Sequence, residues 1–285
     1  MIDAVLEACL DTLKLVPFLY FTYLFMEYLE HRASNKMENI IEKSGRFGPF
    51  FGAVLGLVPQ CGFSSVAANF FSGRIVTLGT LVAIFMATSD EMLPIMIASA
   101  APVSAIAKIL AFKFIAGLFV GLLADFIVRP KHLDSHGEHI HHLCEHDHCH
   151  CNEQNIFGSA LRHTVSITFF ILVISIVCEV LIDLAGFDRI SSAVFGLPLA
   201  GEILAGLIGL IPNCASSVML TNFYLDGLMP AGPMMSGLLM NAGVGLIVLF
   251  KMNHNLKENL KITGGIFAAS VVLGVIVTVT GLSFL

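Results

Sequence analysis

The chain has 285 residues, of which 56% are hydrophobic and only 13% are charged, with a formal net charge of −6 at pH 7. A soluble domain carries roughly 25% charged residues, so this composition excludes an ordinary soluble protein. The apolar residues run continuously over stretches of about 20 residues, the length of a membrane-spanning helix. We therefore predict an all-α integral membrane protein that has the lipid bilayer as a partner and no nucleic-acid partner.

In chain order, the apolar stretches predict the same series of segments twice. The first series comprises a helix, a run that a polar motif breaks, a further apolar run and a last helix, at about 12–29, 48–72, 75–97 and 105–128. The second series has the same order, at about 161–183, 201–224, 228–250 and 262–284. Each broken run is either a re-entrant hairpin of two half-helices or one broken spanning helix. Counted as a hairpin, it gives about five hydrophobic segments per half.

The motif that breaks the run occurs once in each half. It reads "PQCGFSSVAANFF" from Pro59 and "PNCASSVMLTNFY" from Pro212, 153 positions later and without a gap. We therefore predict a first membrane repeat at 1–131, a linker at 132–153 and a second membrane repeat at 154–285.

Lys and Arg in the short loops predict that the two repeats have opposite orientations. The loop at 30–46 has four of these residues, whereas its counterpart at 183–199 has one. The loop at 251–261 has three, whereas its counterpart at 98–108 has one. In one pair the loop of the first half is rich in Lys and Arg, and in the other pair it is the loop of the second half. Equivalent loops should therefore lie on opposite faces of the membrane. The loops at 30–46 and 251–261 and the linker are then cytoplasmic.

Paired breaks in the two halves of a transporter indicate a substrate site near the bilayer midplane. Proline lacks an N–H group and disfavours helix in the residue before it, so Pro59 and Pro212 are the predicted break points. The polar residues of the motifs, with the later Asn241, are the predicted substrate-binding residues: Gln60, Cys61, Ser64, Asn69, Asn213, Cys214, Ser217, Asn222 and Asn241. The alternative is that each proline only kinks a helix, while Ser and Asn bond to neighbouring helices.

Two adjacent acids lie inside an apolar run of the first half. Asp90 and Glu91 are predicted to supply negative charge or to carry protons, because carboxylates at membrane depth are costly. The alternative is a helix start at the water interface, with Ser89 or Asp90 as the N-cap. Lys108 and Lys113 are predicted to extend their ammonium groups to the membrane surface.

The linker contains eight of the eleven histidines of the chain. Imidazole and thiolate ligate zinc, copper, nickel and cobalt, and the spacing matches no zinc finger, so labile metal capture is predicted. The predicted linker ligands are His136, His139, His141, His142, Cys144, His146, His148, Cys149, His150 and Cys151. The alternative is a solvated linker with an accidental bias in composition.

The sequence resembles a family of ten-segment heavy-metal exporters, also described as manganese transporters and distantly related to ArsP-type permeases. The resemblance rests on "GLVPQCGFSSVAANFFSGRIVTLGTLVAIFMATSDE", on "GLIPNCASSVMLTNFYLDGLMPAGP" and on the His-rich linker. It implies efflux of manganese or another heavy metal, and the permease relation suggests a cysteine-based site, which Cys61 and Cys214 would fit.

Together these observations predict a secondary-active exporter of a divalent transition metal in the bacterial cytoplasmic (inner) membrane. We predict no enzymatic activity and no required cofactor; Mn, Zn, Co or Ni is the expected substrate or regulator. The chain has no Walker-type nucleotide motif, so an intrinsic ATPase is not expected. Protons are one candidate coupling ion, and a homodimer is one assembly left open. The alternative is a carrier of an organoarsenical, carboxylate or other anion, with the His-rich loop as a metal sensor.

Overall fold

The computed structural model describes residues 47–58, 61–89, 91–128 and 199–284, with scattered helical positions between 13 and 24 and between 158 and 176. The regular structure in these parts of the chain is entirely helical. Within the described residues, four stretches are long and apolar enough to cross a membrane: Leu78–Ala98, Val103–Val128, Ala231–Met252 and Leu256–Thr280. The predicted all-α membrane protein is confirmed at this level. The predicted helices at 12–29 and 161–183 fall largely outside the described residues, and the linker 132–153 falls wholly outside them.

Ten helices in the described ranges form two series with the same order. The first series is α1 Gly48–Gly56, α2 Cys61–Ser72, α3 Leu78–Ala87, α4 Met92–Ala98 and α5 Val103–Val128. The second series is α6 Ala200–Gly209, α7 Cys214–Leu225, α8 Ala231–Met240, α9 Val244–Met252 and α10 Leu256–Thr280. Each helix of the second series begins 152 or 153 positions after its counterpart, which matches the spacing of the sequence motif.

The apolar run of each half that we expected to be continuous is divided in the structure. Helix α3 ends at Ala87 and α4 begins at Met92, while α8 ends at Met240 and α9 begins at Val244. Pro94 explains the first interruption, because its ring would clash with the carbonyl group four residues earlier and it has no N–H to bond there. Gly243 explains the second, because its φ of 52° and ψ of −137° form a backbone conformation open almost only to glycine.

Within each half, three helices pack in the same way. Helix α3 packs against α1 and α5, and α8 packs against α6 and α10. Glycines allow the backbones to approach closely, as is common between membrane helices. A Cβ atom added to Gly121 of α5 would lie 2.5 Å from the carbonyl oxygen of Gly79, and one added to Gly232 of α8 would lie 2.8 Å from that of Gly274. The matched glycine pairs show that both halves have the same interior geometry.

The motif helices pack across the halves. Helix α2 of the first half packs against α9 of the second, and α7 of the second packs against α4 of the first. A bidentate ion pair also joins the halves: the Arg74 guanidinium donates to both carboxylate oxygens of Glu258 at 2.9 Å. This exchange of helices brings the two motif segments into one common core.

The close approach at Gly121 predicts a large effect of one added methyl group. Gly121→Ala should lower the free energy of unfolding by about 1–3 kcal/mol, because α3 and α5 must separate to admit the Cβ atom. The measurement is the unfolding midpoint of the purified protein in detergent. Gly264→Ala on α10 is the matched control, since a Cβ atom there meets nothing within 4 Å, and it should be neutral or slightly stabilising. Equal midpoints for the two variants would contradict this packing.

Candidate functional site

Four helix breaks meet in the interior of the protein. They separate α1 from α2, α3 from α4, α6 from α7 and α8 from α9, at 57–60, 88–91, 210–213 and 241–243. We call these segments the four breaks. Each lies in the middle of a predicted apolar run, so each interrupts backbone hydrogen bonding at the depth where lipid offers no replacement partner.

Direct contacts connect the breaks to one another. The Ser89 hydroxyl donates to the carbonyl oxygen of Leu57 at 2.8 Å, which joins the two breaks of the first half. In the second half, a Cβ atom added to Gly209 would lie 3.1 Å from the Cβ atom of Met240, so the ends of α6 and α8 touch. Contacts also cross between the halves. A Cβ atom added to Gly245 would lie 2.7 Å from that of Ser64, which places the starts of α2 and α9 together.

Lys113 joins the C-terminal ends of one interrupted helix from each half. Its side chain is only 1% exposed. The ammonium group donates to the carbonyl oxygen of Thr88, the C-cap residue directly after α3. It also donates to the carbonyl oxygen of Leu238, in the last turn of α8, at 2.9 Å. A single cation therefore lies between two helix ends that carry partial negative charge.

Short polar side chains satisfy other backbone groups at the breaks. The Thr88 hydroxyl donates to the carbonyl oxygen of Ile84 at 2.7 Å. The Ser216 hydroxyl donates to that of Asn213 at 2.7 Å. The Asn241 side-chain oxygen accepts from the N–H group of Gly243 at 2.9 Å. The bonds of Ser216 and Asn241 offset part of the cost of leaving the helix in an apolar interior. The Ile84 carbonyl oxygen also accepts the N–H group of Thr88, so there the bond satisfies the hydroxyl group instead.

The structure brings several of the sequence-predicted residues into this region. Their side chains are almost completely buried, at 5% exposure or less: Ser64, Asn69, Asn213, Ser217 and Asn241. Cys61 and Cys214 are the first residues of α2 and α7, directly after two of the breaks. Asn222 differs from its counterpart Asn69, because its side chain is exposed. Glu91 is half-buried directly before α4, without a side-chain hydrogen bond that caps that helix.

Other predicted residues lie outside the described part of the chain. These are Pro59, Gln60, Asp90, the side chains of Cys61 and Cys214, and all ten linker ligands. Within the described ranges, no group of three or more His, Cys, Asp or Glu side chains could hold a metal ion. A cavity of about 270 Å³ between α1, α2 and α3 has an almost wholly apolar lining, including Phe51 and Phe63, and offers no metal ligands.

Sequence reasoning placed Lys113 wrongly. We predicted that its ammonium group reaches the membrane surface, whereas the structure buries it among the breaks. Position 113 lies ten residues from the start of α5 and fifteen from its end, too far from either for a lysine to reach water easily. That central position was the available signal. Lys108, one turn nearer the start of the helix, is exposed as expected.

The Ser89 hydrogen bond predicts a loss of stability when the hydroxyl group is removed. Ser89→Ala should lower the free energy of unfolding by about 1 kcal/mol, because the Leu57 carbonyl oxygen would lose this donor in a partly buried site. Thermal unfolding in detergent measures the change. Ser99→Ala, at an exposed serine at the end of α4, is the matched control and should change little. A Ser89→Ala variant as stable as this control would show that the two breaks are not held together by this bond.

Comparison with known proteins identifies the family. The model of the ArsP_2 family, described as "Putative, 10TM heavy-metal exporter", matches the chain in two segments, residues 1–156 and 139–256. No curated protein and no solved structure matches the chain. The matched segments cover well over half of the sequence and both motifs. The chain therefore belongs to this family of ten-segment membrane exporters of heavy metals.

Proposed function

We propose that the protein exports a divalent transition metal ion by secondary active transport, and that the four breaks form its substrate site. The observation that carries this proposal is the meeting of the breaks, two from each half, around buried polar groups. Irregular backbone inside a membrane protein persists where it lines a polar path or is covered by protein. In transporters, interrupted helices from the two halves surround the substrate near the midplane.

The helix ends at the breaks suit a cation with thiolate ligands. Helices α3 and α8 direct their C-terminal ends, which carry partial negative charge, toward Lys113. Helices α2 and α7 begin at Cys61 and Cys214. The N-terminal end of a helix stabilises negative charge, and thiolate is the form in which cysteine binds metal. A soft or borderline ion such as Zn²⁺, Co²⁺ or Ni²⁺ fits this set better than Mn²⁺, which prefers several oxygen ligands.

The repeated helices support an inverted arrangement of the two halves. Both motif helices pack against the opposite half, which a two-fold relation between the halves would produce. Together with the change of the Lys- and Arg-rich loops between the halves, this favours two inverted repeats with the site at their interface. The His-rich linker would then collect the metal ion on the cytoplasmic side, and protons entering the cell would drive its export.

One observation favours a second candidate function. The buried ammonium group of Lys113 lies near the four breaks, and the N-terminal ends of α2 and α7 attract anions. These features would also serve a carrier of an oxyanion or an organic anion, with the linker as a metal sensor.

Metal flux into proteoliposomes tests the proposal. We expect the protein to transport at least one ion of a panel of Mn²⁺, Zn²⁺, Co²⁺ and Ni²⁺. The Cys61→Ala/Cys214→Ala variant should lose at least about 90% of that flux, because two soft ligands are removed. Cys178→Ala, at a cysteine outside the motif, is the matched control and should keep the flux.

Two results would count against this account. Full flux in the double variant would remove the two cysteines from the site while leaving metal export in place. Folded protein that moves none of the four ions, but moves arsenate or an organic anion, would replace the metal exporter with the second candidate.

A further inference from the structure

Lys113 is a buried cation that neither the family description nor the substrate proposal requires. Its ammonium group bonds to Thr88 and Leu238, one carbonyl group from each half, as described above. Charged side chains at membrane depth are costly, so a lysine at this depth indicates a functional role.

The second half has no equivalent charge. The counterpart of Lys113, 153 positions later, is Ile266, which is also buried. Ile266 lies in α10, in a half whose helices otherwise match those of the first half. The packing of the fold at this position therefore does not need a lysine, because the second half has the same helix arrangement with an aliphatic residue.

Helix ends explain where the ammonium group lies. The last carbonyl groups of a helix have no partner within it and carry partial negative charge. In α3 and α8 these ends come from different halves and face one cation. In transporters with interrupted helices, such C-terminal ends are where substrate or coupling cations bind. Lys113 thus occupies a position suited to a transported cation.

We propose that Lys113 is an affinity-determining residue: its resident positive charge competes with the substrate cation and keeps binding weak enough for release. This inference rests on the proposed function. An exporter must release its ion on the far side, and a site that binds too tightly cannot let the ion leave. A fixed charge about 4–8 Å from the bound ion would weaken its binding by at least about tenfold.

The nearby acids do not change the sign of this effect. Glu91 is half-buried three residues after Thr88, and Asp90 precedes it. Besides Lys113, helix α5 carries the charged residues Lys108 and Asp125. Helix α9 carries Lys251. The Asp125 carboxylate accepts from the Thr77 hydroxyl at 2.8 Å, at the other end of α3 from Thr88. Removing the ammonium group takes one positive charge away from the breaks, so the potential there becomes more negative.

Equilibrium metal binding to the full chain in detergent tests the inference. The probe is the ion that the wild-type protein transports, added alone, and the reported quantities are its Kd and the turnover in proteoliposomes. Lys113→Met should bind the ion at least about tenfold more tightly and turn over more slowly, because release becomes limiting. Lys113→Arg keeps the charge and should stay near the wild-type Kd. Lys108→Met, at the exposed lysine five positions earlier, should match the wild type in both quantities.

Lys113→Gln keeps a hydrogen-bond donor but removes the charge. If Lys113→Met does not fold, this variant still tests whether the charge weakens metal binding. It too should bind more tightly than the wild type. Tighter binding supports the inference, because lost packing alone cannot tighten binding. A wild-type or weaker affinity in the neutral variants overturns the inference and leaves Lys113 with a purely structural role. Wild-type protein that is folded but binds no divalent ion overturns the proposed function itself, and this inference with it.

Discussion

Unsatisfied backbone hydrogen bonding at membrane depth is the constraint on which the rest of the structure depends. Each peptide group left without a partner in lipid costs several kcal/mol, and four helices are interrupted in the interior of the described part of the chain. The interruptions are tolerable because they meet. Ser89 bonds to the Leu57 carbonyl group in the neighbouring break, Asn241 accepts from Gly243, and Lys113 bonds to the ends of α3 and α8. The breaks therefore stabilise one another, and none could form alone at the same cost.

This mutual dependence also explains the exchange of helices between the halves. Helices α2 and α7 pack against α9 and α4 of the opposite half as well as against α3 and α8 of their own, so a break in one half is partly covered by the other. The remaining helices, α5 and α10, are long and uninterrupted, and only 28% of the most apolar stretch of each is buried. The described part of the protein thus has an irregular polar centre and two long, regular apolar helices. Such a centre can bind an ion, while the long helices provide a surface for lipid.

The sequence predicted the features that depend on local chemistry or on repetition. The spacing of the motif predicted the matched order of the helices. Hydropathy predicted both ends of α5 and the end of α10 to within a few residues, whereas α10 begins six residues earlier than expected. The division after Ala87 was only an alternative in the sequence analysis, where the polar residues 88–91 indicated a helix start. The division at Asn241 was missed because hydropathy hardly changes there, and Gly243 was the signal. Lys113 was misplaced although its central position in α5 signalled that its ammonium group cannot easily reach water; which carbonyl groups it bonds to depends on packing that the sequence does not show. The burial of Asn69 and the exposure of Asn222 likewise depend on partners that a motif does not specify.

The most direct test of the central claim is metal binding by a chain whose linker can no longer bind metal. The His and Cys residues within 132–153 are replaced by Ser, and the stoichiometry of the transported ion is measured by equilibrium dialysis in detergent. The account predicts that about one ion per chain remains bound, held at the breaks. Loss of all bound metal from a folded protein would confine metal binding to the linker and contradict a metal site inside the membrane.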